Sequence, residues 1–107
     1  MGYKRKVRVV FVSEGDPALA PLAVEQALTA AGWLEARAAN VATLAALLDW
    51  ADLVVTLDAE ADAHLPVLPT RVQHRHYPVA HSPAQELQQR IACMVGGLQL
   101  MERAAHE

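Results

Sequence analysis

A nearly continuous run of apolar, mostly β-branched residues at Val7–Val12 constrains the fold more than any other feature of this chain. A strand covered on one face only alternates apolar and polar residues, so this run predicts a strand buried on both faces of a parallel sheet. A tight turn and a helix start follow it. In an α/β sheet such a turn lies at the carboxyl end of a central strand, where helix N–H groups can bind an anion.

The rest of the chain alternates strand and helix patterns. Helices are predicted over residues 21–31, 41–50 and 82–103, and further strands over 33–38, 53–57 and 71–77. Residues 58–70 are predicted as a loop with a turn of helix near 60–64. Asn40 is expected to cap the second helix. This order implies parallel strands joined by right-handed crossovers, and therefore a small three-layer α/β domain with a four-stranded parallel sheet.

Composition bounds the class of protein. The 107 residues predict a single domain, residues 1–107, and 53% hydrophobic content is enough for a packed core. A net charge of −3 gives no general attraction to nucleic acid or to anionic membranes. No apolar run approaches the roughly 20 residues of a membrane span, and the run after the basic start is too short for a signal peptide.

Cys93 is the single cysteine. It excludes an internal disulfide framework and a thiolate zinc site, and we expect it to be a small buried hydrophobe in a cytoplasmic protein.

Two segments resemble a known family. Residues 52–69, DLVVTLDAEADAHLPVLP, are followed by His76-Tyr77 and by a Ser-Pro helix start at Ser82-Pro83. This pattern resembles the low-molecular-weight protein tyrosine phosphatases, and more closely their thioredoxin-coupled arsenate reductase relatives. The first strand, turn and helix fall in register with the phosphate loop of that family. The resemblance covers about residues 7–101, with a shortened middle, and it implies a phosphotyrosine protein phosphatase I-like fold.

The loop departs from the family pattern at its chemical positions. The family has a nucleophilic cysteine, five residues, an arginine that holds the oxyanion, and a serine or threonine. In this chain Ser13, Leu19 and Ala20 stand at those three positions. Glu14 and Asp16 add two carboxylates to the loop, which point either into the anion position, where they would repel a dianion, or away from it. The resulting degenerate loop comprises Ser13, Glu14, Gly15, Asp16, Pro17, Ala18, Leu19 and Ala20, and its proline lacks an N–H donor.

The other chemical positions of the family are also replaced. Its late aspartate-proline aligns near His81-Ser82, and His81 is a proton donor without a thiolate partner. The two redox cysteines of the reductases align with Asp58 and Leu65, and Cys93 matches neither. The resemblance therefore implies that disulfide-relay arsenate reduction is absent.

Several residues have two interpretations. The loop is either a surviving oxyanion site or an ordinary turn in which Ser13 or Asp16 caps the following helix. His74 and His76 share one strand face and are weak metal candidates together with His81, His64 or Asp58. Because no metal-binding spacing is complete, we expect no metal and no cofactor.

The two tryptophans flank the second predicted helix. Trp33 and Trp50 either pack in the core or at its edge, or they form part of a partner surface.

We therefore expect a catalytically inactive pseudo-enzyme with a degenerate phosphate loop. It would act by binding an unknown protein partner, a second copy of itself or a small oxyanion, with no nucleic acid or membrane partner. The alternative is an enzyme of the same family with altered chemistry, using Ser13 together with His81 or a metal at His74 and His76. A cytoplasmic location is expected for both.

Overall fold

A computed structural model describes residues 7–30, 34–76, 89, 92 and 93. The strands are β1 (Val7–Val12), β2 (Leu34–Ala39), β3 (Leu53–Thr56) and β4 (Gln73–His76). The helices are α1 (Leu19–Ala30), α2 (Val41–Leu44), which continues as a 3-10 turn at Ala45–Leu47, and α3 (Ala59–Ala63). In the described part of the chain all four strands pair in parallel, in the order β2-β1-β3-β4.

Apolar residues fill both faces of the central strands. On one face Val9, Phe11 and Val55 pack against α1, which contributes Ala23 and Ala27. The other face is buried against α2, α3 and the segments beside them, through Val10, Val12, Leu44, Ala51, Val54, Ala61 and Val72. Helices therefore cover both faces of the sheet, and the predicted three-layer α/β domain with a four-stranded parallel sheet is confirmed.

The register of β1 against β3 positions the loop that follows β1. Val12 lies opposite Thr56, and the Leu57 N–H donates to the Val12 carbonyl at 2.9 Å. On the other side of β1 the Ser13 N–H donates to the Ala39 carbonyl at 3.2 Å. The loop after β1 is thus held between the carboxyl ends of β2 and β3, which is the edge of the sheet predicted for it.

The first helix begins two residues before its predicted start at Pro21. The Ala18 N–H donates to Asp16 Oδ1 at 3.1 Å, and the Leu19 N–H donates to the Asp16 carbonyl at 3.1 Å. These two hydrogen bonds form a turn that leads directly into α1, so the helix begins earlier than predicted. Pro21 is the third helical residue, where its missing N–H still removes no intrahelical bond.

The second helix is shorter than predicted. Asn40 caps it as expected, since its Oδ1 accepts from the Thr43 N–H at 2.8 Å and Thr43 Oγ1 accepts from the Asn40 N–H at 3.0 Å. Beyond Leu44 the chain continues as the 3-10 turn, and Arg71 binds carbonyls of the segment that follows that turn. Its guanidinium donates to the carbonyls of Leu48 at 2.6 Å and Ala51 at 2.9 Å.

Other boundaries also differ from the sequence prediction. The helical turn expected near 60–64 is present as α3, with Asp58 as its N-cap. Strand β4 begins at Gln73 because Val72 closes a turn by donating to the Pro69 carbonyl at 3.0 Å. The predicted helix 82–103, His81, Ser82 and Trp33 lie outside the described residues, except for Gln89, Ala92 and Cys93 within that helix.

Cys93 is helical, but it is exposed, so the expectation of a buried cysteine is wrong. The pattern around it could not define which side of its helix faces the protein. No helix in the described ranges has the length and apolar character needed to cross a bilayer.

Candidate functional site

A carboxylate from β3's carboxyl end occupies the loop after β1. Asp58 Oδ2 accepts hydrogen bonds from the backbone N–H groups of Glu14 at 2.9 Å, Gly15 at 2.9 Å and Asp16 at 3.3 Å. These are consecutive amides of the predicted anion loop. Consecutive N–H groups pointing at one acceptor form a typical anion-binding concavity. In this chain the anion is part of the protein itself.

The second oxygen of the same carboxylate is also bonded. Asp58 Oδ1 accepts from the Ala61 N–H at 2.8 Å and thereby caps α3. Partial burial raises the pKa of Asp58, but the four backbone N–H donors outweigh that effect and hold its pKa below the usual value. The carboxylate is therefore ionised at neutral pH, which strengthens its bonds to the loop.

Two side chains of the loop cap the start of α1. Ser13 is buried, with 1% exposure, and its Oγ accepts from the Ala20 N–H at 3.2 Å. Asp16 Oδ1 accepts from the Ala18 N–H at 3.1 Å. The structure therefore has the capping arrangement that the sequence allowed as one of two alternatives. A hydroxyl so enclosed is poorly placed to attack a substrate in solution.

Glu14 turns away from the loop amides. Its Oε1 accepts from the Val41 N–H at 2.9 Å, the first N–H of α2. Of the two carboxylates in the loop sequence, Glu14 therefore points away from the loop and Asp16 bonds to the Ala18 N–H within it, while Asp58 takes the position of the anion. The available sequence signal was Asp58, directly after the predicted strand 53–57, since the carboxyl ends of neighbouring parallel strands lie at the same edge of the sheet.

Leu19 and Gly15 show how the loop is packed. The Leu19 side chain is 5% exposed and belongs to the core between α1 and the sheet, so it contributes no polar group to the loop. A Cβ on Gly15 would lie 3.0 Å from Glu60 Oε1 and 3.7 Å from Asp58 Oδ2. A larger residue at this position would therefore require the exposed side chain of Glu60 to move.

A second polar cluster surrounds Thr56 at the end of β3. Thr56 is fully buried, and its Oγ1 lies 2.7 Å from His76 Nδ1, 3.2 Å from His74 Nε2 and 3.2 Å from Asp62 Oδ1. His74 Nε2 is also 3.2 Å from Asp62 Oδ1. The two histidines thus share a strand face as predicted, and α3 adds an acidic residue that the sequence analysis did not associate with them.

The other predicted metal candidates do not join this cluster. His64 Nδ1 lies 2.9 Å from the Glu60 carbonyl, and Asp58 is bonded to the loop. Among the residues that the structure describes, no group of three or more histidine, cysteine or acidic side chains is placed to hold a metal ion. His81, the remaining candidate, lies outside those residues.

An open pocket of about 240 Å³ lies between the loop and the carboxyl end of β2. It is lined by Ser13, Pro17, Ala20, Pro21, Ala38, Ala39, Asn40 and Thr43. None of the described residues that line this pocket has a titratable side chain.

Trp50 packs at the edge of the core, and the guanidinium groups of two arginines lie against its ring. The guanidinium carbon of Arg37 lies 4.5 Å from the ring centroid, and that of Arg8 lies 5.6 Å from it. Trp50 also packs against the core face that contains Val10 and Val12. Trp50 therefore packs at the edge of the core while its ring contacts arginines of β1 and β2.

No protein-family model and no curated protein matches this chain. In the described part of the chain, the carboxyl edge of the sheet carries both the loop closed by Asp58 and the Thr56 cluster.

Proposed function

We propose that this chain is a non-catalytic binding protein of the low-molecular-weight phosphatase and arsenate reductase type, whose phosphate loop is closed by its own carboxylate. The observation that carries the proposal is the bonding of Asp58 Oδ2 to three consecutive loop amides. The parallel sheet and the position of the loop after a central strand support the same class. A cytoplasmic location is part of the proposal, supported by a single cysteine in 107 residues.

The closed loop disfavours an oxyanion ligand. A phosphate and the Asp58 carboxylate would compete for the same N–H groups, and two anions cannot share them without strong repulsion. Displacing Asp58 would also remove the N-cap of α3, which depends on the other oxygen of that carboxylate. Of the binding functions expected from the sequence, contact with a protein is therefore favoured over capture of a small anion.

Ser13 and Leu19 stand where the family has its nucleophilic cysteine and its arginine, and the surroundings of both residues disfavour catalysis. Ser13 is buried and accepts a hydrogen bond from Ala20, so its hydroxyl is engaged in capping α1. Leu19 lies in the core, where it can neither clamp an oxyanion nor stabilise a transition state. The alternative with altered chemistry on Ser13 has no such support.

The test combines an activity assay with an NMR titration by inorganic phosphate at neutral pH. The wild-type protein should hydrolyse no aryl phosphate, and phosphate should leave the amide signals of Glu14, Gly15 and Asp16 unchanged. In Asp58→Ala, phosphate should shift those three signals. Glu60→Gln is the matched control, because it removes a carboxylate near Gly15 that does not bond to the loop.

Two results would overturn the proposal. One is aryl phosphate hydrolysis by the wild type that is lost in Ser13→Ala. The other is phosphate binding to the three loop amides of the wild type. Asp58→Asn gives a second variant, since its amide oxygen can still cap α3 while the negative charge is removed.

A further inference from the structure

Strand β2 forms one edge of the sheet in the described part of the chain. It pairs with β1 on one side, and no described strand pairs with its other side. The Ala39 carbonyl accepts from the Ser13 N–H, so the backbone groups of Ala39 point towards the β1 side. Because backbone direction alternates along a strand, those of Leu34, Ala36 and Ala38 point outwards. An edge of this kind can pair with another chain.

Opposite charges flank the middle of this edge. Glu35 and Arg37 stand on either side of Ala36, and the alternation of a strand places both side chains on the same face of the sheet. Arg37 stacks on Trp50 with 4.5 Å between its guanidinium carbon and the ring centroid. A guanidinium that stacks through its face can still donate through its N–H edge to a carboxylate. Glu35 has Arg8 Nε 3.9 Å from its Oε1 and is partly exposed.

We propose that two copies of this chain pair their β2 strands in antiparallel orientation about a two-fold axis at Ala36. Ala36 then faces Ala36 of the second copy, and both residues point their backbone groups into the new interface as a hydrogen-bonded pair. Glu35 faces Arg37 of the second copy, and the symmetry repeats that contact. These positions form non-hydrogen-bonded pairs, in which opposite side chains approach most closely.

The charges select this register over its neighbours. An axis at Glu35 would oppose two glutamates, and an axis at Arg37 would oppose two arginines, and like charges directly opposite each other destabilise a strand pair. In a register shifted by one residue, a residue whose backbone groups point outwards would lie opposite a residue whose backbone groups already bond to β1. The Glu-Ala-Arg sequence is therefore complementary to itself in antiparallel orientation only when Ala36 is at the centre.

This inference extends the proposed binding function by naming a second copy of the chain as the partner, but its observations come from β2 alone. Results on Asp58 and phosphate neither support nor weaken it. The first measurement is the mass in solution, by sedimentation velocity over a range of protein concentrations. The wild type should reach twice the 11.6 kDa of one chain. Arg37→Glu and Glu35→Arg should each return the mass to that of one chain, because each creates two like-charge pairs.

Matched controls carry the same charge changes elsewhere. Arg75→Glu replaces an exposed arginine on β4, and Glu25→Arg replaces an exposed glutamate on α1. Both controls should keep the doubled mass. A wild type that stays at the mass of one chain, or a dimer that survives both reversals on β2, would overturn the proposal.

The decisive experiment mixes the two single variants. A copy with Arg37→Glu and a copy with Glu35→Arg oppose unlike charges at both positions of the proposed register. The mixture should therefore reach twice the mass of one chain although each variant alone does not. Failure of the folded variants to associate would contradict the register.

Amide hydrogen exchange on the wild type gives a measurement that needs no variant. Exchange at Ala36 and Ala38 should slow as protein concentration rises, whereas exchange at Arg37, whose N–H points to β1, should not depend on concentration. Concentration-independent exchange at Ala36 and Ala38 would overturn the proposal.

Discussion

Asp58 Oδ2 lies 2.9 Å from the amide nitrogen of Gly15, although 43 positions separate the two residues in the sequence. The contact depends on the pairing of β1 with β3, which brings the residues after both strands to the same edge of the sheet. A carboxylate placed against consecutive N–H groups provides the stabilisation that a bound oxyanion would provide. The loop is therefore stable in its folded form without a ligand.

Replacement of Asp58 should lower stability measurably. We expect Asp58→Ala to reduce the free energy of unfolding by about 2 kcal/mol, of which about 1 kcal/mol reflects the lost cap of α3. The remainder reflects the charge-assisted bonds to the loop, which water replaces in part because those N–H groups are exposed. Urea unfolding checks this value. Glu60→Gln should change the stability by less than about 0.5 kcal/mol, and an equal loss in both variants would contradict the assignment.

The stabilisation by Asp58 should depend on pH in the acid range. Its pKa is lowered in the folded protein, so the contribution is fully present above the ordinary aspartate pKa of about 3.9 and is lost as pH falls below it. The difference in unfolding free energy between wild type and Asp58→Asn should be constant from neutral pH to about pH 5 and should shrink below about pH 4. Unfolding curves at a series of pH values measure it. A difference that grows on acidification would have the wrong sign.

Thr56 should contribute to stability through its hydroxyl. Thr56→Val keeps the shape of the buried side chain but removes the hydrogen-bond partner shared by His74, His76 and Asp62. We expect a loss of about 1 kcal/mol, limited because the three partners are partly exposed and water can replace the hydroxyl. Chemical unfolding measures it, with Thr70→Val as the same substitution at an exposed position. Equal stability of the two variants would assign no energetic role to the cluster.

Arg71 should hold the turn after α2. Arg71→Ala leaves the carbonyls of Leu48 and Ala51 without their guanidinium donor, and we expect a loss of about 1 kcal/mol. Amide exchange at Trp50 and Ala51 should accelerate, because both N–H groups bond to the Leu47 carbonyl within that turn. Arg75→Ala is the control on β4. Unchanged exchange in the Arg71 variant would show that the turn is stable without the guanidinium.

Local sequence patterns predict the bounds of some helices and strands correctly and those of others incorrectly. The bounds of β1 match the prediction because the apolar run from Val7 to Val12 needs no distant information. The Asn40 cap was predictable for the same reason, since Thr43, its partner, lies three residues away. The proline at position 21 predicts a helix start two residues too late, because the turn at Asp16 starts α1 at Leu19.

The identity of the carboxylate that binds the loop amides could not be predicted without the tertiary structure. The sequence predicts an anion-binding loop after β1 with two carboxylates of its own, at Glu14 and Asp16, and does not indicate that Asp58 binds its amides. Whether the carboxylate of Asp58 or that of Glu14 binds the loop amides depends on the strand order and on the β1–β3 register. Residue patterns determine neither the order nor the register. The pairing of His74 with Asp62 was missed for a similar reason, because it depends on how α3 packs beside β4.

Asp58 can be regarded as a tethered competitor for the loop. Its effective concentration at the three amides is set by the geometry of β3 and α3, and even a short flexible tether gives concentrations in the millimolar range. Dilution of the protein therefore does not empty the loop, and a free anion must exceed this built-in concentration before it can enter. An anion that succeeds would also have to compensate for the loss of the bond between Asp58 and Ala61, so occupancy of the loop and fraying of α3 are thermodynamically linked.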